Sequence, residues 1–203
     1  MLAVGAGRQA EGRSGRDTWR YISINFEVAL KNTADHERQA VIWRFYKPRH
    51  THAWNMLVLS WRAFDAPSDA DMPFEDEYLW ENFIIRLWLY RSTVKTLTRL
   101  SSVSADARDI LAKFDRSFEA SGQNGLKAIR DMIEHFDDYA AGIGHGPATR
   151  EDELDPWRKV SRDMFERGRF VIFRTSAYDA AIQLRSDAKR VSDAFITWYK
   201  ASC

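Results

Sequence analysis

Residues 74–121 contain no glycine and no proline. Nothing else in the chain narrows the fold as much, because those two residues are the usual punctuation between strands and turns. Within that run, residues 76–100 carry the clearest helical period. Trp80, Phe83, Ile84, Leu87, Val94 and Leu97 fall on one stripe, and Glu81, Arg86, Lys95 and Arg99 lie off it. At about 1.5 Å per residue such a helix is roughly 35 Å long, enough for the spine of a bundle. Ser101 and Ser102 are expected to break it. Ser104 is expected to cap a further helix, with Asp106 and Asp109 near its positive end and Ile110, Leu111, Phe114 and Phe118 facing the core. Gly122 ends that helix.

The flanking segments extend the helical pattern. Residues 35–46 read as a helix that Pro48 terminates, and Thr51 as the N-cap of a second helix reaching Phe64 with Trp54, Leu57, Val58 and Trp61. Residues 65–73 form a polar loop. Asn124 caps a helix reaching about Ala141, where Gly142 supplies the left-handed terminal residue. Residues 157–167 are read as a short helix. Phe170-Val171-Ile172-Phe173 and Ala181-Ile182-Gln183-Leu184 are read as two short strands around a loop at 176–179. Residues 186–201 form the last helix, burying Ala188, Val191, Phe195 and Trp198. The expected architecture is mostly α: a helical bundle with a small β-hairpin before the C-terminal helix. Residues 1–18, rich in Gly, Arg and Ala, read as a disordered tail, and residues 19–203 as a single helical domain.

Composition excludes several classes. Thirty basic residues against twenty-nine acidic ones leave a net charge of +1, so no strong overall field draws in nucleic acid. One cysteine, Cys203, rules out a disulfide framework and a cysteine-based zinc site. No run of eighteen apolar residues is present, so no membrane span is expected. The first twenty residues lack the apolar region of a secretory signal, and the cytoplasm is the expected compartment. Eight tryptophans among 13% aromatic residues are read first as large core anchors and only second as a base-stacking surface.

One constellation carries chemistry. In Leu126-Lys127-Ala128-Ile129-Arg130-Asp131-Met132-Ile133-Glu134-His135-Phe136, four residues separate Arg130 from His135 on a capped helix. The spacing resembles the Arg-x4–6-His motif of the HEPN superfamily of helical bundles, many of them metal-independent ribonucleases of toxin–antitoxin and defence systems. Asp131 fits the polar residue that often follows the family's arginine. The resemblance covers about 76–145, taken as a HEPN-like core. A second match, Arg44 to His50, contains Pro48 and is set aside on the expectation that the helix breaks there.

The resemblance implies an endoribonuclease needing no cofactor and no metal. The ribose 2′-OH would attack the adjacent phosphorus, leaving a 2′,3′-cyclic phosphate and a 5′-hydroxyl. His135 would move the proton, since an imidazole titrates near neutrality. Arg130 would hold the transition-state charge through its planar fork, and Asp131 would orient the imidazole. At about 100° per residue, Arg130 and His135 lie 140° apart on an ideal helix, so one helix cannot aim both at one phosphate. A homodimer of about 47 kDa, twice the 23.6 kDa chain, is therefore expected, with a cognate antitoxin as a further partner of the toxin reading.

An equally complete account needs no catalysis. Arg130 can pair with Glu134, and His135 with Asp131 or Asp138, as on any solvated helix face. On that account the chain is a non-catalytic helical interaction or dimerisation module. Elsewhere, Arg44, Lys47 and Arg49 beside His50 and His52 make a basic run, read as a loop, that offers RNA phosphate contacts or is simply solvated. His135, Asp138 and His145 make an incomplete ligand set, so no metal is expected.

Overall fold

A computed structural model describes residues 35–67, 74–120, 122–135 and 159–202. The expected tail at 1–18, the last six residues of the helix expected to reach Ala141, and Asp138 and His145 lie outside the described residues. Two compact units are distinguished, Met1–Val41 and Ile42–Cys203. Apart from the first turns of one helix, the described residues all belong to the second unit. They are mostly helical, as the sequence pattern implies, with two small antiparallel strand pairs where one hairpin was expected.

The first helix among the described residues, α1 (Asp35–Ala63), continues through Pro48. This corrects the expected break there. A proline inside a helix costs about 3 kcal/mol. Against that, Ile42 and Tyr46 before it and Trp54 and Leu57 after it are all buried on one stripe. Each contributes roughly 1.5–3 kcal/mol, so continuity wins. Thr51 is accordingly no N-cap: its hydroxyl donates back to the carbonyl of Lys47, 3.2 Å away within the same helix.

α2 (Glu75–Val94) is the expected spine, with Trp80, Phe83, Ile84, Leu87 and Val94 fully buried. It tightens into a 3-10 turn at Lys95–Arg99 before the predicted break, followed by another at Ser101–Val103. α3 (Ser104–Arg116) comes next. Ser104 is its first residue and not its cap, because its hydroxyl donates to the Thr98 carbonyl at 2.7 Å. Beyond α3 a strand pair absent from the sequence reading appears, β1 (Glu119–Ala120) with β2 (Gln123–Asn124). Gly122, at φ +74°, supplies the left-handed residue of its turn.

α4 (Gly125–Glu134) follows at once. The hairpin before the last helix is β3 (Met164–Arg167) with β4 (Phe170–Phe173), paired Met164 to Phe173 and Arg167 to Phe170. Residues 164–167 are thus strand, not helix. The other corrected segment is 181–184, which lies inside α5 (Arg174–Ala201). Ala181 and Leu184 are buried there while Ile182 and Gln183 are exposed, a helical spacing that a short apolar run conceals. Gly168, at φ +56°, begins the two-residue turn between β3 and β4.

Candidate functional site

α4 carries the motif, and its start is tightly specified. The Asn124 side chain accepts from the Lys127 backbone N–H at 2.9 Å, as its capping role requires. A side chain on Gly125 would place its Cβ 3.0 Å from the Phe118 carbonyl oxygen and 3.3 Å from the Phe170 ring. Leu126, Ala128, Ile129 and Met132 are fully buried. That packing turns Arg130 to the margin of the core.

There Arg130 is enclosed by opposite charge. One guanidinium nitrogen donates to Asp131 Oδ1 at 2.5 Å, and another pairs with Glu134 Oε2 at 2.5 Å. Asp131 is itself buried and accepts from Lys127 Nζ at 2.7 Å through its other oxygen. Two cations and two carboxylates therefore neutralise one another locally. The guanidinium also lies 5.5 Å from the centre of the Trp88 ring, which Arg91 approaches to 5.0 Å. Arg91 is held in turn by both oxygens of Asp115, at 2.9 and 2.5 Å.

His135 is exposed at the C-cap of α4, where φ is −128°. It has left the helical path, so the 140° separation of an ideal helix does not describe this pair. The structure brings Arg130 and Asp131 together in an ion pair. Asp131 points its oxygens at Lys127 and Arg130, which leaves its expected role of orienting an imidazole to a rearranged site. Among the described residues no group of three metal-ligating side chains occurs.

Arg44, Lys47 and Arg49 lie on α1 and not in a loop. Arg44 and Lys47 are exposed and Arg49 is half-buried. Lys47, Pro48, Thr51, His52 and Asn55 line an open hollow of about 450 Å³. Since α1 is continuous, the Arg44–His50 pair sits within a helix after all. Its histidine is nonetheless unsuited to acid–base work at neutrality. Burial, helped by the charge of Arg185, pushes His50 down to about 4.

His50 belongs instead to a polar node that the sequence did not disclose. Its Nε2 lies 2.9 Å from the Tyr90 hydroxyl, linking α1 to α2 across forty positions. Its ring also sits 5.1 Å from that of Tyr46. Burial pushes the Tyr46 hydroxyl up to about 12, a rise tempered by Ser192. Burial, with the neighbouring Tyr46, also raises the Tyr90 hydroxyl. The only signal in the sequence was the Tyr46–His50 spacing of one helical turn, and the assumed break at Pro48 hid it.

Beside this node runs a ladder of rings and cations. Arg174 lies 4.6 Å over Trp61, Trp61 stacks on Tyr178 at 4.3 Å, Tyr178 faces Trp54 at 6.1 Å, and Arg185 lies 4.4 Å over Trp54. Each ring in it is flanked by a neighbour in the ladder. On α5, burial alone would raise the Asp187 carboxyl. Hydrogen bonds from Gln183, Arg190 and Lys113, with the Lys113 charge, outweigh it and hold Asp187 below the usual carboxylate range.

No family model matches the chain, and neither a curated protein nor a solved structure matches it. No helix among the described residues is long and apolar enough to cross a membrane.

Proposed function

We propose that this chain is a non-catalytic helical interaction module. The observation that carries the reading is the outer face of the β3–β4 hairpin, where Val171 is 42% and Phe173 56% exposed while Phe170 and Ile172, which alternate with them, are buried. Adjacent apolar side chains left in water are characteristic of surfaces that meet another protein. The charge balance around Arg130 supports the same reading. A phosphate approaching that guanidinium must displace Asp131 and Glu134, both already at 2.5 Å.

The second reading remains the metal-independent, HEPN-like endoribonuclease, a toxin or defence component with RNA as its substrate. What favours it is the exposed His135 just over one turn beyond Arg130, at the end of a helix that a second copy could face. One experiment separates the two. Purified full-length protein is incubated with single-stranded RNA in EDTA, beside Arg130→Ala and His135→Ala. The interaction reading expects no cleavage by any of the three. Cleavage by the wild type that both substitutions remove, leaving 2′,3′-cyclic phosphate ends, would replace it with the nuclease.

A further inference from the structure

Asn124-Gly125 is the only asparagine–glycine step in the chain. The other asparagines, Asn25, Asn32, Asn55 and Asn82, are followed by Phe, Thr, Met and Phe. An asparagine side chain is open to attack by the backbone nitrogen of the residue after it. Glycine hinders that attack least, because it has no Cβ and admits backbone conformations closed to other residues. The fold leaves little choice of residue here. Asn124 caps α4 through Oδ1, 2.9 Å from the Lys127 backbone nitrogen. A Cβ at position 125 would lie 3.0 Å from the Phe118 carbonyl oxygen and 3.3 Å from the Phe170 ring, so only glycine fits without a shift. The start of α4 thus requires the most reactive asparagine sequence in the chain.

The same contacts hold the reaction off. Asn124 is extended, with φ −78° and ψ 101°, which puts the Gly125 nitrogen on the far side of the Cα–C bond from the Asn124 side chain. Ring closure needs the two nearly eclipsed. The attacking species is the deprotonated amide, and here the Gly125 N–H is tied to the Phe118 carbonyl at 2.8 Å. The carboxamide that would be attacked is held by the Lys127 N–H. These constraints are released together when the junction between β2 and α4 opens, a local event that does not require global unfolding.

We propose that Asn124 is a fold-gated deamidation site, stable while α4 is capped and converted irreversibly when the start of α4 opens. In the open chain the Gly125 nitrogen attacks Asn124 Cγ. The new N–C bond forms as the Cγ–Nδ2 bond breaks, and the Gly125 N–H proton ends on the departing ammonia. Water then opens the cyclic imide at either carbonyl. Opening at Cγ gives aspartate, which caps a helix about as well as asparagine. Opening at the backbone carbonyl gives isoaspartate, in which the main chain runs through the former side chain. Its extra main-chain carbon displaces Gly125 relative to the cap, so the cap and the Gly125–Phe118 bond no longer form together. The mark falls on the helix that carries Arg130 and His135, and it accumulates with the time that helix spends open. The inference does not depend on the interaction-module reading.

Full-length protein is aged in mildly alkaline buffer, with and without guanidinium chloride, and peptide mapping by mass spectrometry follows each asparagine. In denaturant Asn124 is expected to convert faster than Asn55 and Asn82, to a mixture of isoaspartate and aspartate. In native buffer its conversion is expected to be at least about tenfold slower, because only open molecules react. Diluting the aged, denatured sample back into buffer reads the consequence. Molecules with isoaspartate should melt below the unaged protein, and those with aspartate close to it. Asn124→Ser keeps a capping hydroxyl and cannot form the imide, so it should regain its original midpoint after the same treatment. Equal rates with and without denaturant overturn the gating, and no conversion in denaturant overturns the site. An isoaspartyl fraction that melts with the unaged protein overturns the role of the cap.

Discussion

Acid should weaken this protein through His50. The imidazole is half-buried between Tyr46 and Tyr90, with Arg185 adding positive charge from α5, and its pKa is held at about 4 against 6.5 in an open chain. A folded value below the unfolded one means that the native state resists taking the proton. The contribution is complete above pH 6.5 and is lost as the pH falls toward 4. At roughly 1.36 kcal/mol per pH unit the whole interval corresponds to about 3.4 kcal/mol. Solvent reaching the half-buried ring screens that to about 1–2 kcal/mol. The perturbation is His50→Gln, whose amide can still bond the Tyr90 hydroxyl but cannot titrate. Urea denaturation of both proteins at pH 7.5 and at pH 4.5 gives four stabilities. The wild type should lose about 1–2 kcal/mol more than the variant between the two pH values. Contributions common to both proteins cancel in the difference. Equal losses, or a larger loss in the variant, would show that the burial and the arginine do not act on this ring.

Other consequences arise from single contacts. Gly125→Ala forces a Cβ to within 3.0 Å of a backbone oxygen, so it should cost about 1–3 kcal/mol and lower the thermal midpoint by roughly 2–10 °C in a calorimetric scan. Trp61→Ala takes away the ring shared by Arg174 and Tyr178, and chemical denaturation should show a loss of about 2–4 kcal/mol. Tyr90→Phe leaves His50 Nε2 without its hydroxyl partner, which should cost about 1–2 kcal/mol by the same measurement.

How far the sequence disclosed this fold depended on the range of the interactions involved. The spine of α2 was legible because burial every three or four residues is written directly into the chain, and each of its named stripe residues is indeed buried. The Asn124 cap was legible for the same reason: donor and acceptor are three residues apart. Pro48 misled, because the cost of a proline is local while its compensation lies in the packing of Tyr46, Trp54 and Leu57. Ala181-Ile182-Gln183-Leu184 misled, because four residues cannot distinguish a strand from a turn of helix. Met164–Arg167 became a strand only by pairing with Phe170–Phe173 across the Gly168 turn. In the candidate site, the Arg130–Glu134 pair was readable from helical spacing. The His50–Tyr90 bond was not, since nothing local links residues forty positions apart.

The richness in aromatic and basic residues takes on a different meaning once their contacts are known. Rings beside arginines are what a single-stranded RNA platform needs, provided that the ring faces are open to bases. Here the arginines sit on the faces. Arg174 and Arg185 close the two ends of the Trp61–Tyr178–Trp54 stack, Arg91 and Arg130 lie over Trp88, and Arg169 lies over Phe170. Such contacts contribute about 0.5–2 kcal/mol each, more as they are dried. Several of the same cations are held by carboxylates as well, Arg91 by Asp115, Arg130 by Asp131 and Glu134, and Arg174 by Asp65. A base can stack there only after a guanidinium leaves, and the guanidinium can meet a phosphate only after leaving its carboxylate. Both exchanges cost interactions that the folded chain already has. This is why the same residues that suggest nucleic-acid binding in the sequence act in the structure as internal cement.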